Sequence, residues 1–395
     1  MTRKAEIVIV GGGLAGASAA VMLGRTDHRI VLIDLNEAPR PDFRCEKLGP
    51  AQTGLLHRMG LAGFVLPFAT HSPQFWVARL GRLADKLPVS QYGAPYSTLV
   101  SAMRAAISPR VVQMIGCVAG ISLGESEQIV TLADGETITA RLVILANGLN
   151  LALRKSLGFE CRTLSRHHSV TMGFDIAPAG GGRFAFDSLT YYGEKPQDRV
   201  AYLTLFRIGD AMRANLMTYL EIGDPRLKRF REEPHAALSG LLPRLAGLIG
   251  PFEIMGDVKV RPADLYQTTN LAQPGVVLVG DAFSTSCPAA GTGTHKVLND
   301  VERLCSVHVP RWLATTGMGA DKLASYYQDP RKRAVDRTSI EEAYALKARS
   351  LADGPRGHVA ARVRLAVRIA KGMLRRSLAR LHATTRREAL DRAGE

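Results

Sequence analysis

EIVIVGGGLAGASAAVMLGRTDHRIVLID, residues 6–34, decides the fold. Glu6–Val10 is β-rich and runs into Gly11-Gly12-Gly13-Leu14-Ala15-Gly16. Ala17–Leu23 reads as a helix of small and apolar residues, and Arg29–Ile33 as a second strand ending at Asp34. This strand–turn–helix–strand spacing predicts a unit that sets a dinucleotide pyrophosphate on a helix N-terminus. Gly11 permits the tight turn, Gly13 lets backbone approach the phosphates, and Gly16 lets helix and strand pack closely. Asp34, 18 positions beyond Gly16, is placed to accept both ribose hydroxyls, and its charge argues against a 2′-phosphate. Mere turn glycines are the plainer reading of a bare GxGxxG. The flanking strand, helix and acid make that reading the weaker one.

Beyond this unit the apolar spacing from Leu48 to Leu61 is helical, with Gly60 and Gly63 marking its end, and Tyr96–Ile107 reads as a further helix. Residues 110–146 alternate as a β-meander with a hairpin turn at Asp134-Gly135, and Leu142–Ala146 is a continuous apolar run suited to a buried strand. The character then changes. Ser169–Ile176, Phe184–Tyr192, Val200–Arg207 and Asn215–Glu221 are rich in β-branched and aromatic residues and are separated by Gly180-Gly181-Gly182 and Gly209-Asp210. They predict a mostly antiparallel sheet. Pro225–Leu248 is read as helical, and Pro274–Gly280 as a strand. The fold class expected is therefore α/β, a Rossmann-type nucleotide-binding domain carrying an inserted, mostly antiparallel β-sheet domain and a C-terminal helical segment. The boundaries expected are 1–75, 96–165 and 270–330 for the first, 76–95 and 166–269 for the second, and 331–395 for the third.

With 46% hydrophobic residues, the 395-residue chain can bury one large core or two smaller ones. No stretch approaches the roughly 20 apolar residues of a membrane span. The Gly-rich turn starts at Gly11, so cleavage of a leader would remove a structural strand; a cytoplasmic protein is expected. Five cysteines (45, 117, 161, 287 and 305) show no metal-ligand spacing, which favours buried free thiols and no metal site. Net charge is +15, but residues 331–395 hold 17 Lys or Arg against 7 Asp or Glu, so most of the excess belongs to the C-terminal segment.

A second constellation is Gly280-Asp281-Ala282, then Pro288, Gly291, Gly293 and Asp300. A strand ends at Gly280, so Asp281 projects from its carboxyl edge, and the two later glycines open a helix. An N-cap aspartate before a glycine-containing loop is the plainer reading; its pairing with the N-terminal unit outweighs that. These residues resemble the second FAD motif of the p-hydroxybenzoate hydroxylase-like, single-component (group A) flavoprotein monooxygenases. Arg44-Cys45-Glu46-Lys47-Leu48-Gly49-Pro50 and the segment Leu55–Leu61 are similar to the loop and helix that come after that family's second strand.

The resemblance implies FAD as cofactor, with NADPH or NADH as electron donor. It implies cofactor contacts from Arg44 to the phosphates or ribityl chain, from Val118 to adenine, and from Asp281, Pro288, Gly291 and Gly293 to the ribitol and ring. A third family motif, Asp-Gly…Arg, is matched by Asn147-Gly148…Arg154, where Asn147 departs from the family's acid and keeps only its hydrogen-bonding capacity. Ser284 and His295 depart from a frequent His and Asn. The activity implied is hydroxylation or epoxidation of an apolar, aromatic small molecule by O2 through a flavin C4a-hydroperoxide. His167, His168, Tyr191 and Tyr192 are the candidates for substrate chemistry, since a histidine near neutrality can deprotonate a phenol. A solvated histidine and core aromatics are the plainer reading.

Three other functions fit the same fold class. A flavin halogenase would need a Trp-x-Trp segment, and the only tryptophans are Trp76 and Trp312. A geranylgeranyl-reductase-like enzyme would consume reduced cofactor without incorporating oxygen. A non-catalytic flavin-binding scaffold is the alternative of another class. From Arg356 to Arg380 there are basic residues and no acids, while Val359, Val363, Val367, Ala370, Leu374, Leu378 and Leu381 recur every three or four residues. That pattern predicts a basic amphipathic helix able to meet an anionic membrane, an acidic carrier or a partner protein, with packing on the domain as the plainer reading. Nucleic acid is not expected, because no aromatic–basic interleaving accompanies the charge.

Overall fold

The computed structural model describes residues 2–39 and 42–393, and side chains at all of these except 2, 358 and 376–393. Two compact units form. The first comprises Met1–His71, Tyr92–Thr171 and Lys259–Leu346; the second comprises Ser72–Gln91, Met172–Val258 and Lys347–Glu395.

The centre of the first unit is a five-stranded sheet of β1 (Ile7–Val10), β2 (Ile30–Asp34), β3 (Val112–Ile115), β4 (Leu142–Leu145) and β5 (Val276–Leu278). Their order is β5-β4-β1-β2-β3, and every neighbouring pair is parallel. Alternate residues feed two opposite cores. Ile7, Ile9, Ile30, Leu32, Leu142 and Ile144 pack to one side, and Val8, Val10, Val31, Ile33, Val143 and Leu145 to the other. Burial on both faces explains why these strands are continuous apolar runs. Helices α1 (Leu14–Leu23), α2 (Pro50–Arg58), α3 (Tyr96–Ala105) and α4 (Gly293–Arg303) belong to this unit. A small four-stranded sheet (Thr2–Lys4, Val118–Ser122, Gln128–Leu132 and Thr137–Ala140) completes the hairpin region, with Gly135 at φ 89° in its turn. The expected 110–146 meander is thus divided, because its first and last strands belong to the parallel sheet.

A seven-stranded sheet in the order 252–269, 160–178, 211–218, 200–208, 188–192, 75–79, 82–87 supplies the second unit with most of its strands, while residues 160–171 and 259–269 of the first two strands belong to the first unit. The 188–192 and 75–79 strands pair in parallel; 188–192 with 200–208, 200–208 with 211–218, and 75–79 with 82–87 are antiparallel. The α/β class and the mostly antiparallel insertion are as expected. The detail departs in four places. Phe184 and Phe186 lie outside the ladder, stacked on one another with ring centroids 5.5 Å apart. The strand expected at Asn215–Glu221 runs instead over Ala211–Thr218. The 225–248 helix is three helices, Pro225–Glu232, Pro234–Leu241 and Leu245–Ile249. Glu233 and Leu242 each precede a proline and are driven out of helical geometry, at φ −133° and −134°. Phe252–Thr269 is an 18-residue strand that Gly256 and Pro262 hide in the sequence by interrupting it. Its position at the end of the sheet order tolerates a proline.

The C-terminal segment also divides. α5 (Pro330–Leu351) lies largely in the first unit and α6 (Pro355–Ala393) in the second, with Gly354 at φ 86° between them.

Gly16 sets the tightest contact of the nucleotide-binding unit, since a Cβ there would stand 1.8 Å from the Gly11 carbonyl oxygen. Gly16→Ala is expected to cost about 3 kcal/mol or more in urea unfolding. Gly63→Ala, with nothing within 4 Å, should be neutral or stabilise by under about 1 kcal/mol.

Candidate cofactor site

The loops at the carboxyl ends of the parallel strands build the site. After β1, Gly11 sits at φ 101°, a conformation suited to glycine, and a Cβ there would stand 2.5 Å from the Ala146 carbonyl oxygen. A Cβ at Gly13 would stand 3.2 Å from the Tyr96 hydroxyl, which accepts the Leu14 N–H at 3.1 Å. α1 has no side-chain cap from its own N-cap residue and no acid in its first turn, which leaves its positive end to an anionic ligand.

Asp34, at the end of β2, accepts the Gly12 N–H at 2.6 Å and the Asn36 N–H at 2.9 Å, and pairs with Arg104 at 3.1 Å. Arg104 lies in the last turn of α3 and also donates to the carbonyls of Gly12 and Asn36 at 2.8 Å and of Glu37 at 2.9 Å. One guanidinium therefore staples the loops after β1 and β2. Gly12 is constrained by it, because a Cβ there would stand 2.7 Å from Arg104 Nη2. A carboxylate offers about four lone-pair directions. Three are engaged by the protein itself, and Asp34 still lines the cavity, so its remaining acceptor capacity faces any ligand bound there. Sequence reasoning missed Arg104; its only signal is a basic residue near the end of a helix whose other face is apolar.

Arg154 is buried, and among the described residues its donors go to carbonyls and hydroxyls. It donates to the carbonyls of Asn150 (3.1 Å), Gly148 (3.3 Å) and Ala282 (2.5 Å), and to the hydroxyls of Thr268 and Tyr266 at 3.1 Å. The Tyr266 hydroxyl in turn donates to the Asp281 carbonyl at 3.0 Å. This ties the loop after β4 to the loop after β5. The same guanidinium holds backbone and is not among the residues that line the cavity.

Asp300 acts from within the core. It accepts the Gly280 N–H at 3.2 Å, Lys296 Nζ at 3.2 Å and Lys332 Nζ at 2.9 Å. Both lysines also approach Asp336, at 3.4 and 3.0 Å, so two buried cations meet two carboxylates. Burial alone would raise the Asp300 pKa; Lys296 and Lys332 outweigh it and hold the carboxyl below the usual range. The network fixes the Gly280 turn, at φ 62°, that presents Asp281. From the start of α4, the Thr294 hydroxyl donates to Glu46 at 2.5 Å. Glu46 accepts Arg44 Nε at 2.9 Å, and the Arg44 guanidinium lies 4.3 Å over the Tyr96 ring.

These loops enclose a cavity of about 310 Å3. Gly11, Gly13, Asp34, Arg44, Val118, Asn147 and Asp281 line it, so seven of the expected contacts are brought together. Gly16 acts behind the lining through its contact with Gly11. Pro288, Gly291 and Gly293 do not line it, and Val297 of α4 does. Asn147 supplies the sharpest test of fit. Its Nδ2 donates to the Asn150 carbonyl at 3.1 Å, while its Oδ1 is buried with no hydrogen-bond partner. An acceptor waiting for a donor, a glycine cradle at a helix start, and Arg44 and Asp281 in one cavity suit a ligand carrying both phosphates and hydroxyls. FAD is such a ligand.

None of the four candidates for substrate chemistry lines this cavity. His168 is fully buried, with Nδ1 3.1 Å from Ser165 Oγ and Nε2 3.4 Å from the Ala343 carbonyl oxygen. His167 is half-exposed, at φ 45°, with its N–H on Asp264 at 2.7 Å and Nδ1 3.4 Å away. Tyr191 is buried and donates to Glu194 at 2.6 Å; burial and that carboxylate push its pKa up. Tyr192 lies under the Arg79 guanidinium, 3.5 Å from its ring centroid.

Residues 9–77 match the family model of the NAD(P)-binding Rossmann-like domain. 3-Demethoxyubiquinol 3-hydroxylase of Escherichia coli (strain K12) is 26% identical over 325 residues, 77% of this chain and 79% of that protein. 3-Amino-4-hydroxybenzoate 2-monooxygenase PtnB3 of Streptomyces platensis is 24% identical over 376 residues, 90% and 91% of the two chains. The crystal structure of p-nitrophenol 4-monooxygenase PnpA from Pseudomonas putida DLL-E4 shares the fold, with a TM-score of 0.73 over 94% of both chains at 16% identity. Fold, site and relatives define the class as an FAD-dependent oxidoreductase, for which NAD(P)H is the typical electron donor. The resemblance to the group A flavoprotein monooxygenases is borne out.

Arg104→Met is expected to weaken FAD binding about tenfold to a hundredfold, the scale of one or two charge-assisted hydrogen bonds. Titration of apoprotein by flavin fluorescence measures this, and an unchanged affinity would remove Asp34 from the cofactor's contacts. Arg154→Lys, which cannot reach five acceptors, should lower unfolding stability by about 2–4 kcal/mol in urea.

Proposed function

We propose that this chain is a monooxygenase that inserts one oxygen atom from O2 into an apolar, aromatic small molecule, drawing electrons from NADH or NADPH. The observation that carries the reading is convergence. Gly11, Gly13, Asp34, Arg44, Val118, Asn147 and Asp281 come from widely separated stretches of sequence and line one cavity. Two relatives are named for a hydroxybenzoate and a demethoxyubiquinol, both phenolic. Bound FAD would supply the oxygen chemistry. The chain's own residues would hold it: the α1 N-terminus and Arg44 for phosphates, Asp34 for a ribose hydroxyl, Asn147 Oδ1 for a donor, and Asp281 for the ribityl hydroxyls. We assign substrate recognition to the antiparallel sheet of the second unit. We further assign to the basic helix α6 an anionic partner: a membrane surface, an acidic carrier or a partner protein.

The purified protein, reconstituted with FAD, is expected to show the visible bands of oxidised flavin and to bleach with NADH or NADPH. With a panel of hydroxybenzoates and quinols under 18O2, mass spectrometry should find one labelled oxygen in product. Reduction of substrate without label would establish a reductase instead, and halide incorporation a halogenase. Flavin that never turns over would leave the scaffold reading.

A further inference from the structure

α6 packs the wrong way round for an ordinary amphipathic helix. Arg375 Nη2 lies 2.5 Å from both carboxylate oxygens of Asp85, and Arg368 Nε lies 3.3 Å from one of them. Asp85 is on the strand Arg82–Leu87 of the same unit and is 2% exposed. Gly372 is buried on this side, and Arg364, Leu365 and Ile369 are half-buried. Two guanidiniums on one buried carboxylate fix the roll of the helix, because turning it would strand that charge without partners.

The consequence is on the other side. Val359, Val363, Val367, Met373 and Leu374 are 60, 53, 47, 57 and 62% exposed. They form one stripe running along several turns, which leaves branched and unbranched apolar side chains in water. The exposed cations Arg362 and Lys371 border the stripe on its two sides, and Arg356 stands at its start. Leu378 and Leu381, which continue the spacing, lie outside the described side chains.

We propose that α6 lies in the plane of an anionic lipid surface, with this stripe inserted among the acyl chains and its bordering cations on the headgroups. This rests on the assignment of an anionic partner to α6 and is independent of the redox reading. Long cationic side chains beside an apolar stripe can bury their stems and keep their heads at an anionic interface. Charge complementarity selects lipid over a second copy of this chain. Between Arg356 and Arg380 there is no acid, so pairing two such helices along their stripes would bring cation against cation. No helix among the described residues is long and apolar enough to cross a membrane, so α6 is placed on the surface, not through it.

The test is co-sedimentation of the full-length protein with vesicles of phosphatidylcholine alone, or with about one third phosphatidylglycerol. The protein is expected to bind the anionic vesicles, to leave neutral ones largely unbound, and to release as salt rises. Val363→Glu combined with Val367→Glu, at exposed positions, should lower binding at least tenfold with the circular dichroism unchanged. Arg362→Gln combined with Lys371→Gln should weaken binding severalfold and flatten its salt dependence. The flavin spectrum of the same samples reports the cofactor site separately, so loss of flavin and loss of vesicle binding are distinguishable. Three results would overturn the proposal: no binding of the unaltered protein to anionic vesicles, equal binding by the double-glutamate variant, or a dimer by light scattering that this variant dissociates.

Discussion

A guanidinium buried among carbonyls and hydroxyls holds the carboxyl edge of the parallel sheet together. Arg154 spends its donors on three backbone carbonyls and two hydroxyls. Those carbonyls close the loops after β4 and β5, neighbours in the parallel sheet. Parallel strands end at one edge, and a ligand bound there must be met by several loops that share no hydrogen-bond ladder. Each loop leaves carbonyls that must be satisfied away from water. A planar fork with five N–H groups can collect several of them at once, where an ammonium could reach fewer. Asn147, with its waiting acceptor, and Asp281, which also lines the cavity, stand on the two loops so joined.

The same device recurs one strand over. Arg104 joins the loops after β1 and β2 and neutralises Asp34 while doing so. An acid at this edge is therefore less repulsive toward phosphate than its bare charge suggests. Behind both loops, Asp300 with Lys296 and Lys332 pins the Gly280 turn from the interior. Removing one member would leave an uncompensated buried charge, a stronger constraint on the turn than the net worth of the ion pairs. The cavity is lined largely by small and neutral groups, and most of the charge that shapes it stands one layer back.

What is legible in the sequence is local. The switch from strand to helix period around Gly11–Gly16, and an acid at the end of the next strand, are set by neighbours in the chain. Interactions spanning long stretches are not. Arg104 and Arg154 meet loops 92 and 128 residues away, and no spacing rule links a guanidinium to the carbonyls it will find. Pro234 and Pro243 do carry a readable signal, since a residue before proline leaves the helix, yet apolar periodicity outweighs it. Pro262 misleads in the other direction, because it sits in a strand at the end of its sheet. For α6 the periodicity is right and the packed face is not. The buried Asp85 takes the arginines, and hydrophobicity does not choose the side that packs.

The order in which the parallel sheet is assembled has a consequence during synthesis. β4 takes β1 on one edge and β5 on the other, and β5 begins only at Val276. Until that residue has left the ribosome, the β4 edge is unpaired and apolar, open to pairing with another nascent chain. Asp281 and the α4 turn arrive later still. The nascent chain therefore passes through a long interval in which the cavity lining up to Leu153 exists and Val279, Asp281 and Val297 do not.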